Sequence, residues 1–195
     1  MTNSFHKRIY TASRFFHDFS AIIESMPDII KAARAKRVTK AFREKLFVAV
    51  SNVLGCRHCS WLHTEIALSK GVDKTEIHKI LSQEIGEFPE DEAVALAFAQ
   101  HYSETSGRPK KDAEQRFYQY YGQEIAKGIL KYIQIIYFGN LAGNTVDAFL
   151  ERLKGQPVEG STFWGELIIF LLTAPYFLII LPLLAARAHH LGRYI

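Results

Sequence analysis

The 195-residue chain reads as an all-α bundle followed by an apolar helical extension. Three observations predict this. Apolar residues recur at spacings of three and four along most of its length, while alternation with a period of two hardly appears. Helix-capping residues punctuate the pattern. One linker-like stretch, "KGQPVEGS" (Lys154 to Ser161), then precedes twenty residues without a charge, "LIIFLLTAPYFLIILPLLAA" (Leu167 to Ala186). With 48% apolar and 13% aromatic residues, the chain can bury a sizeable core. A helical domain is expected over residues 1–155 and an apolar extension over 156–195.

In order, helices are expected at Thr11 to Ser25, Pro27 to Ala35, Val38 to Leu54, His58 to Ser69, Lys74 to Leu81, Glu90 to Ser106, Asp112 to Tyr121, and Gln123 to Arg152. Gly55 is the natural turn after the third. Gly71, just past "ALSK", suits the left-handed position that ends the fourth. Asp73 caps the fifth, with Glu76 three residues on completing a capping box. Pro89 opens the sixth with an acidic first turn, "PEDEA", and "SGRP" closes it. No internal repeat is evident, and the short loops imply a compact bundle.

The net charge of +4 is modest, but the stretch "RAKRVTKAFREK" (Arg34 to Lys45) concentrates cations. It lacks interleaved exposed aromatics, zinc-finger spacing or any nucleic-acid module, so it reads as a solvated helix face and no nucleic-acid partner is expected. The N-terminus, "MTNSFHKRIYTASRFF", has no apolar core region or cleavage site of a signal peptide. Two cysteines close together give no long-range disulfide framework, so reduced thiols in a cytoplasmic setting are expected. The run from Leu167 to Ala186 is long enough to cross a bilayer and is flanked by Trp164, Arg187, Arg193 and Tyr194, as interface anchors would be. Pro175 and Pro182 break that run, which favours packing between subunits of a homo-oligomer over membrane association.

Chemistry concentrates in "GCRHCSWLH" (Gly55 to His63), which holds both cysteines of the chain. On a helix that starts near Arg57, Cys59 and His63 are one turn apart on one face. His63 is thus placed to take the Cys59 proton. This matters because a thiol of pKa about 8.5 is only a few per cent thiolate at neutral pH. Cys56 stands where free backbone N–H groups and the helix dipole favour a thiolate. The preceding helix carries one acid, Glu44, and an antiparallel return through Gly55 would lay it beside His63. Three other readings compete. Zinc could be held by the cysteines, His63 and one of His58, His78 or His101, although no second cysteine pair follows. A structural disulfide would close a very short loop and stabilise little. Inert buried cysteines would leave the flanking histidines without a role.

The stretch "EKLFVAVSNVLGCRHCSWLHTEIALSKGV" (Glu44 to Val72) resembles the signature of AhpD-like alkylhydroperoxidases in the carboxymuconolactone decarboxylase superfamily. That pattern is a Glu twelve residues before the first Cys, a Cys-x-His-Cys, and a His four beyond the second Cys. Glu44, Cys56, His58, Cys59 and His63 fill its five places. The likeness extends over roughly Val38 to Leu153 and includes "YFGNLAGNTVDAFLERL" (Tyr137 to Leu153). It is weaker in the N-terminal helices and does not include the apolar tail.

The resemblance implies an all-helical trimer or hexamer with peroxidase or disulfide reductase activity. Cys59 would attack a hydroperoxide and Cys56 would resolve the sulfenic acid. His63 and Glu44 would relay the proton, with His58 supporting from the mouth of the site. It implies no bound cofactor. Its substrates would be a hydroperoxide or disulfide, and its reductant a dithiol such as a lipoyl-carrying protein. The decarboxylase branch generally lacks the cysteine pair. A non-enzymatic interaction protein, zinc-binding or membrane-anchored, is the alternative.

Overall fold

The computed structural model describes residue 5 and residues 7–175, and among them every regular element is helical. The helices are α1 (Ala12–Ala35), α2 (Lys40–Leu54), α3 (Arg57–Ser69), α4 (Lys74–Leu81), α5 (Glu90–Glu104), α6 (Lys111–Leu153) and α7 (Phe163–Pro175). A single 3₁₀ turn, Ile85–Glu87, follows α4; the sequence pattern gave no sign of it.

Helix α2 is the central element because its apolar residues leave it no free side. Leu46, Val48, Ala49 and Val50 have no exposed surface. The helix packs against α3, α4, α5 and α6. Thr39 caps it, accepting from the Phe42 N–H at 3.1 Å. It ends at Gly55, whose φ of 68° lies in the left-handed region that favours glycine. The Cys56 N–H then returns to the Ser51 carbonyl at 3.2 Å, so the chain reverses within two residues and Cys56 becomes the N-cap of α3.

Other caps fall where the sequence places them. The capping box of Asp73 and Glu76 is complete in α4, and Gly71 has a φ of 86°. The two expected helices Asp112 to Tyr121 and Gln123 to Arg152 run on as α6, broken at Gly122 (φ 73°, ψ 164°). The two expected helices at Thr11 to Ser25 and Pro27 to Ala35 are instead one continuous helix, with Pro27 inside it. Proline removes the hydrogen bond to the carbonyl four residues back, here Ile23. Ile23 is 54% exposed, so this turn lies on the solvent side of α1, and the helix continues through it.

The basic stretch is only partly a solvated face. Arg43 and Lys45 turn inward, and Lys45 is buried with its ammonium on Glu92 of α5 at 2.6 Å and on Glu76 of α4. Helix α7 packs on α6 and α1, tied by Arg152 Nε donating to the buried Glu166 at 2.5 Å. Leu167 to Pro175 of the apolar run lie in α7; Pro182 and the rest, to Ala186, fall outside the described residues. No helix among the described residues is long and apolar enough to cross a membrane.

Candidate active site

The reversal at Gly55 lays α3 back along α2, and this brings residues 19 positions apart into contact. His63 Nδ1 meets Glu44 Oε2 at 2.7 Å. The Glu44 side chain is 3% exposed and that of His63 12%. Glu44 Oε1 accepts from the neighbouring Arg43, through Nη2 at 2.8 Å and Nε at 3.2 Å. Burial opposes ionisation of Glu44, yet the His63 hydrogen bond and charge, with the Arg43 contact, outweigh it and hold the carboxyl below its ordinary value. Phe47 presents its ring to His63 edge to face, with centroids 4.9 Å apart and planes at 81°. It fixes the plane of the imidazole.

With Nδ1 committed to the carboxylate, Nε2 is the ring nitrogen left to serve a thiol. Cys59 is four residues before His63 on α3, so the two share a face. Cys56 and Cys59 form a disulfide, with Cα atoms 5.3 Å apart, and both residues are buried. The first turn of α3 has no acidic residue, which leaves the positive end of its dipole uncompensated beside Cys56. An open groove of about 1490 Å³ borders this end of the helix, lined in part by Cys56, His58 and Trp61 of α3 and Leu150 and Lys154 of α6. Cys59, His63 and Glu44 do not line it.

Four of the five residues singled out from the sequence therefore fall into two contacting pairs, Glu44 with His63 and Cys56 with Cys59, linked by the one-turn spacing of Cys59 and His63 on α3. His58 is exposed on the groove and makes no side-chain hydrogen bond among the described residues. With the two cysteines joined as a disulfide, no group of three or more His, Cys, Asp or Glu residues among the described ones is placed to hold a metal ion. His101 lies on α5, where its Nε2 accepts from the Lys110 N–H at 3.0 Å. Sequence reasoning missed Arg43. Its only signal was adjacency to the lone acid of α2, and adjacency in a helix does not reveal which way a side chain turns.

Residues 21–100 match the family model for carboxymuconolactone decarboxylases. Over that span, less than half of its length, the chain is similar to the carboxymuconolactone decarboxylase family. The matched residues run from within α1 to within α5 and include Arg43, Glu44, both cysteines and His63. The family includes enzymes, among them decarboxylases and alkylhydroperoxidases, and the Cys-x-x-Cys pair fits the redox side of that range. No match was found among curated proteins or among solved structures.

Proposed function

We propose that the protein is a thiol-dependent peroxidase and disulfide reductase that cycles between the Cys56–Cys59 dithiol and disulfide. The observation that carries this reading is the Glu44–His63 hydrogen bond on the face that Cys59 shares. A buried carboxylate that orients Nδ1 makes Nε2 a better base, and the base is one helical turn from a thiol. Cys59 thiolate attacks the terminal peroxide oxygen; the O–O bond breaks, the alcohol leaves with a proton relayed through His63, and Cys59 becomes a sulfenic acid. Cys56 thiolate attacks that sulfur, hydroxide leaves as water, and the disulfide forms. A dithiol donor then reduces the pair by two exchanges and is itself oxidised to a disulfide. The groove beside Cys56 gives such a donor a way in. Association into a homo-oligomer belongs to the same reading.

Turnover of organic hydroperoxide with dihydrolipoamide, followed in Cys59→Ser and Cys56→Ser, tests it. Cys59→Ser should be inert, and Cys56→Ser should accumulate a sulfenic acid at Cys59. Peroxide consumption by Cys59→Ser would reverse the assignment. Absence of turnover in the wild type with any peroxide or disulfide would end the enzyme reading. Glu44→Gln and His63→Gln should each slow iodoacetamide alkylation of reduced Cys59 by about tenfold or more. The double variant should add little, because the two act as a unit. Multiplicative losses would sink the relay.

A further inference from the structure

The residue beside Glu44 carries an inference that rests on this redox reading and reaches past it. A carboxylate with 2% of its residue surface exposed is expensive to keep charged unless a cation compensates it. His63 offers one hydrogen bond, and it brings a charge only when its ring is protonated. The permanent positive charge comes from Arg43. Its guanidinium closes on Oε1 through two nitrogens, so one carboxylate oxygen belongs to the cation and the other to the imidazole. The guanidinium is itself held, 5.7 Å over the Phe47 ring and 5.9 Å over the Tyr132 ring of α6. Phe47 is the same ring that meets His63 edge to face.

The other charges nearby are engaged elsewhere or stand at the surface. Lys45, next along α2, turns to Glu76 of α4 and Glu92 of α5. On α3, Arg57 and His58 are exposed at the helix start. From α6, Tyr132 supplies its ring face.

We propose that Arg43 is a positioning residue of the thiol site: it keeps Glu44 ionised and turns its second oxygen to His63, so that Nδ1 holds its proton and Nε2 stays open toward Cys59. Arg43 acts through Glu44 and touches neither sulfur nor peroxide.

Carboxyl-carbon NMR of Glu44 in the reduced protein reads the effect directly. In Arg43→Met the Glu44 midpoint should rise by about one pH unit, as loss of a contact cation at a partly screened site implies. In Arg43→Lys the rise should be less than half as large, because the charge remains and only the planar fork is lost. A carboxyl held low is ionised above its folded value and protonates as pH falls through it. The acid limb of Cys59 alkylation, measured in a Cys56→Ser background, should therefore move to higher pH in Arg43→Met. That movement should vanish when Glu44 is already Gln.

An unmoved Glu44 midpoint in Arg43→Met overturns the proposal. So does an alkylation shift that persists in the Glu44→Gln background, since Arg43 would then act on the thiol without the carboxylate. If Arg43→Met does not fold, Arg43→Gln removes the charge while keeping a donor, with the same expected rise. The NMR midpoint does not depend on peroxide turnover. A wild type inert to peroxides but with an Arg43-dependent Glu44 midpoint would end the peroxidase reading and leave this one standing.

Discussion

Lys45 follows Glu44 in the chain and faces away from it, toward two other carboxylates. Its ammonium lies 2.6 Å from Glu92 and also bonds Glu76, so a single side chain ties α2 to α4 and α5. Replacing it by Met leaves both carboxylates part-buried and close to each other without a cation. We expect a loss of about 2–3 kcal/mol, below the full range for a broken buried pair because Glu76 and Glu92 keep some water. Burial opposes the charged ammonium, yet the two carboxylates overrule it and raise Lys45 above its ordinary value. The sign of the pH effect follows. This stabilisation is complete below the unfolded lysine value of about 10.4 and is lost as pH rises through the folded one. Melting curves of wild type and Lys45→Met should differ at pH 8 and converge in strong alkali. A gap that stays constant would mean that Lys45 contributes packing alone.

At the scale of the helices, α6 depends on the break at Gly122. Its φ of 73° with ψ of 164° belongs to a region that only glycine occupies readily. A Cβ there would meet nothing within 4 Å, so the whole cost of Gly122→Ala is backbone strain. About 1–3 kcal/mol is expected, read as a fall in Tm of several degrees. An unchanged Tm would show that the two halves of α6 can straighten. This break was legible in the sequence, as were the capping box at Asp73 and the turn at Gly55, because caps and glycines act locally. The contact of Glu44 with His63 was legible too, since the turn at Gly55 and the helical period together fix which residues of α2 and α3 can meet. What local signals could not supply was facing and environment. Pro27 is accommodated inside a helix whose preceding turn, with Ile23 and Met26, faces solvent, and Arg43 and Lys45 turn inward because carboxylates from distant parts of the chain, and one next door, are waiting there. The 3₁₀ turn at Ile85–Glu87 likewise has no marker of its own, for Ile85 and Phe88 are held by burial in the common core.

On the whole molecule, α1 shows a row of large apolar side chains to solvent. Phe16, Phe19, Ile23, Met26 and Ile30 are each 42–54% exposed. They are spaced alternately by three and four, the seam by which two helices pair. Helix α7 adds Trp164, Ile168, Leu171 and Leu172. Light scattering should find a multimer, and Ile23→Arg with Met26→Arg should lower its mass while leaving the helical content intact. A multimer of unchanged mass would place the contact elsewhere, and a wild-type monomer that binds lipid vesicles would assign the row to a membrane surface. Assembly at α1 would also be felt at the cysteines, through a device some distance from both. The Asn144 side-chain amide donates to the Leu54 carbonyl at 2.9 Å and to the Arg8 carbonyl at 3.0 Å. Two residues past Arg8, the Tyr10 N–H bonds the Thr145 hydroxyl at 2.8 Å, and α1 begins at Ala12. One amide thus fastens the lead-in to α1 and the last carbonyl before the redox turn to the same point on α6. The thiol pair hangs from a joint that three distant stretches of chain share, so a tug on the first helix has a short mechanical route to the sulfurs.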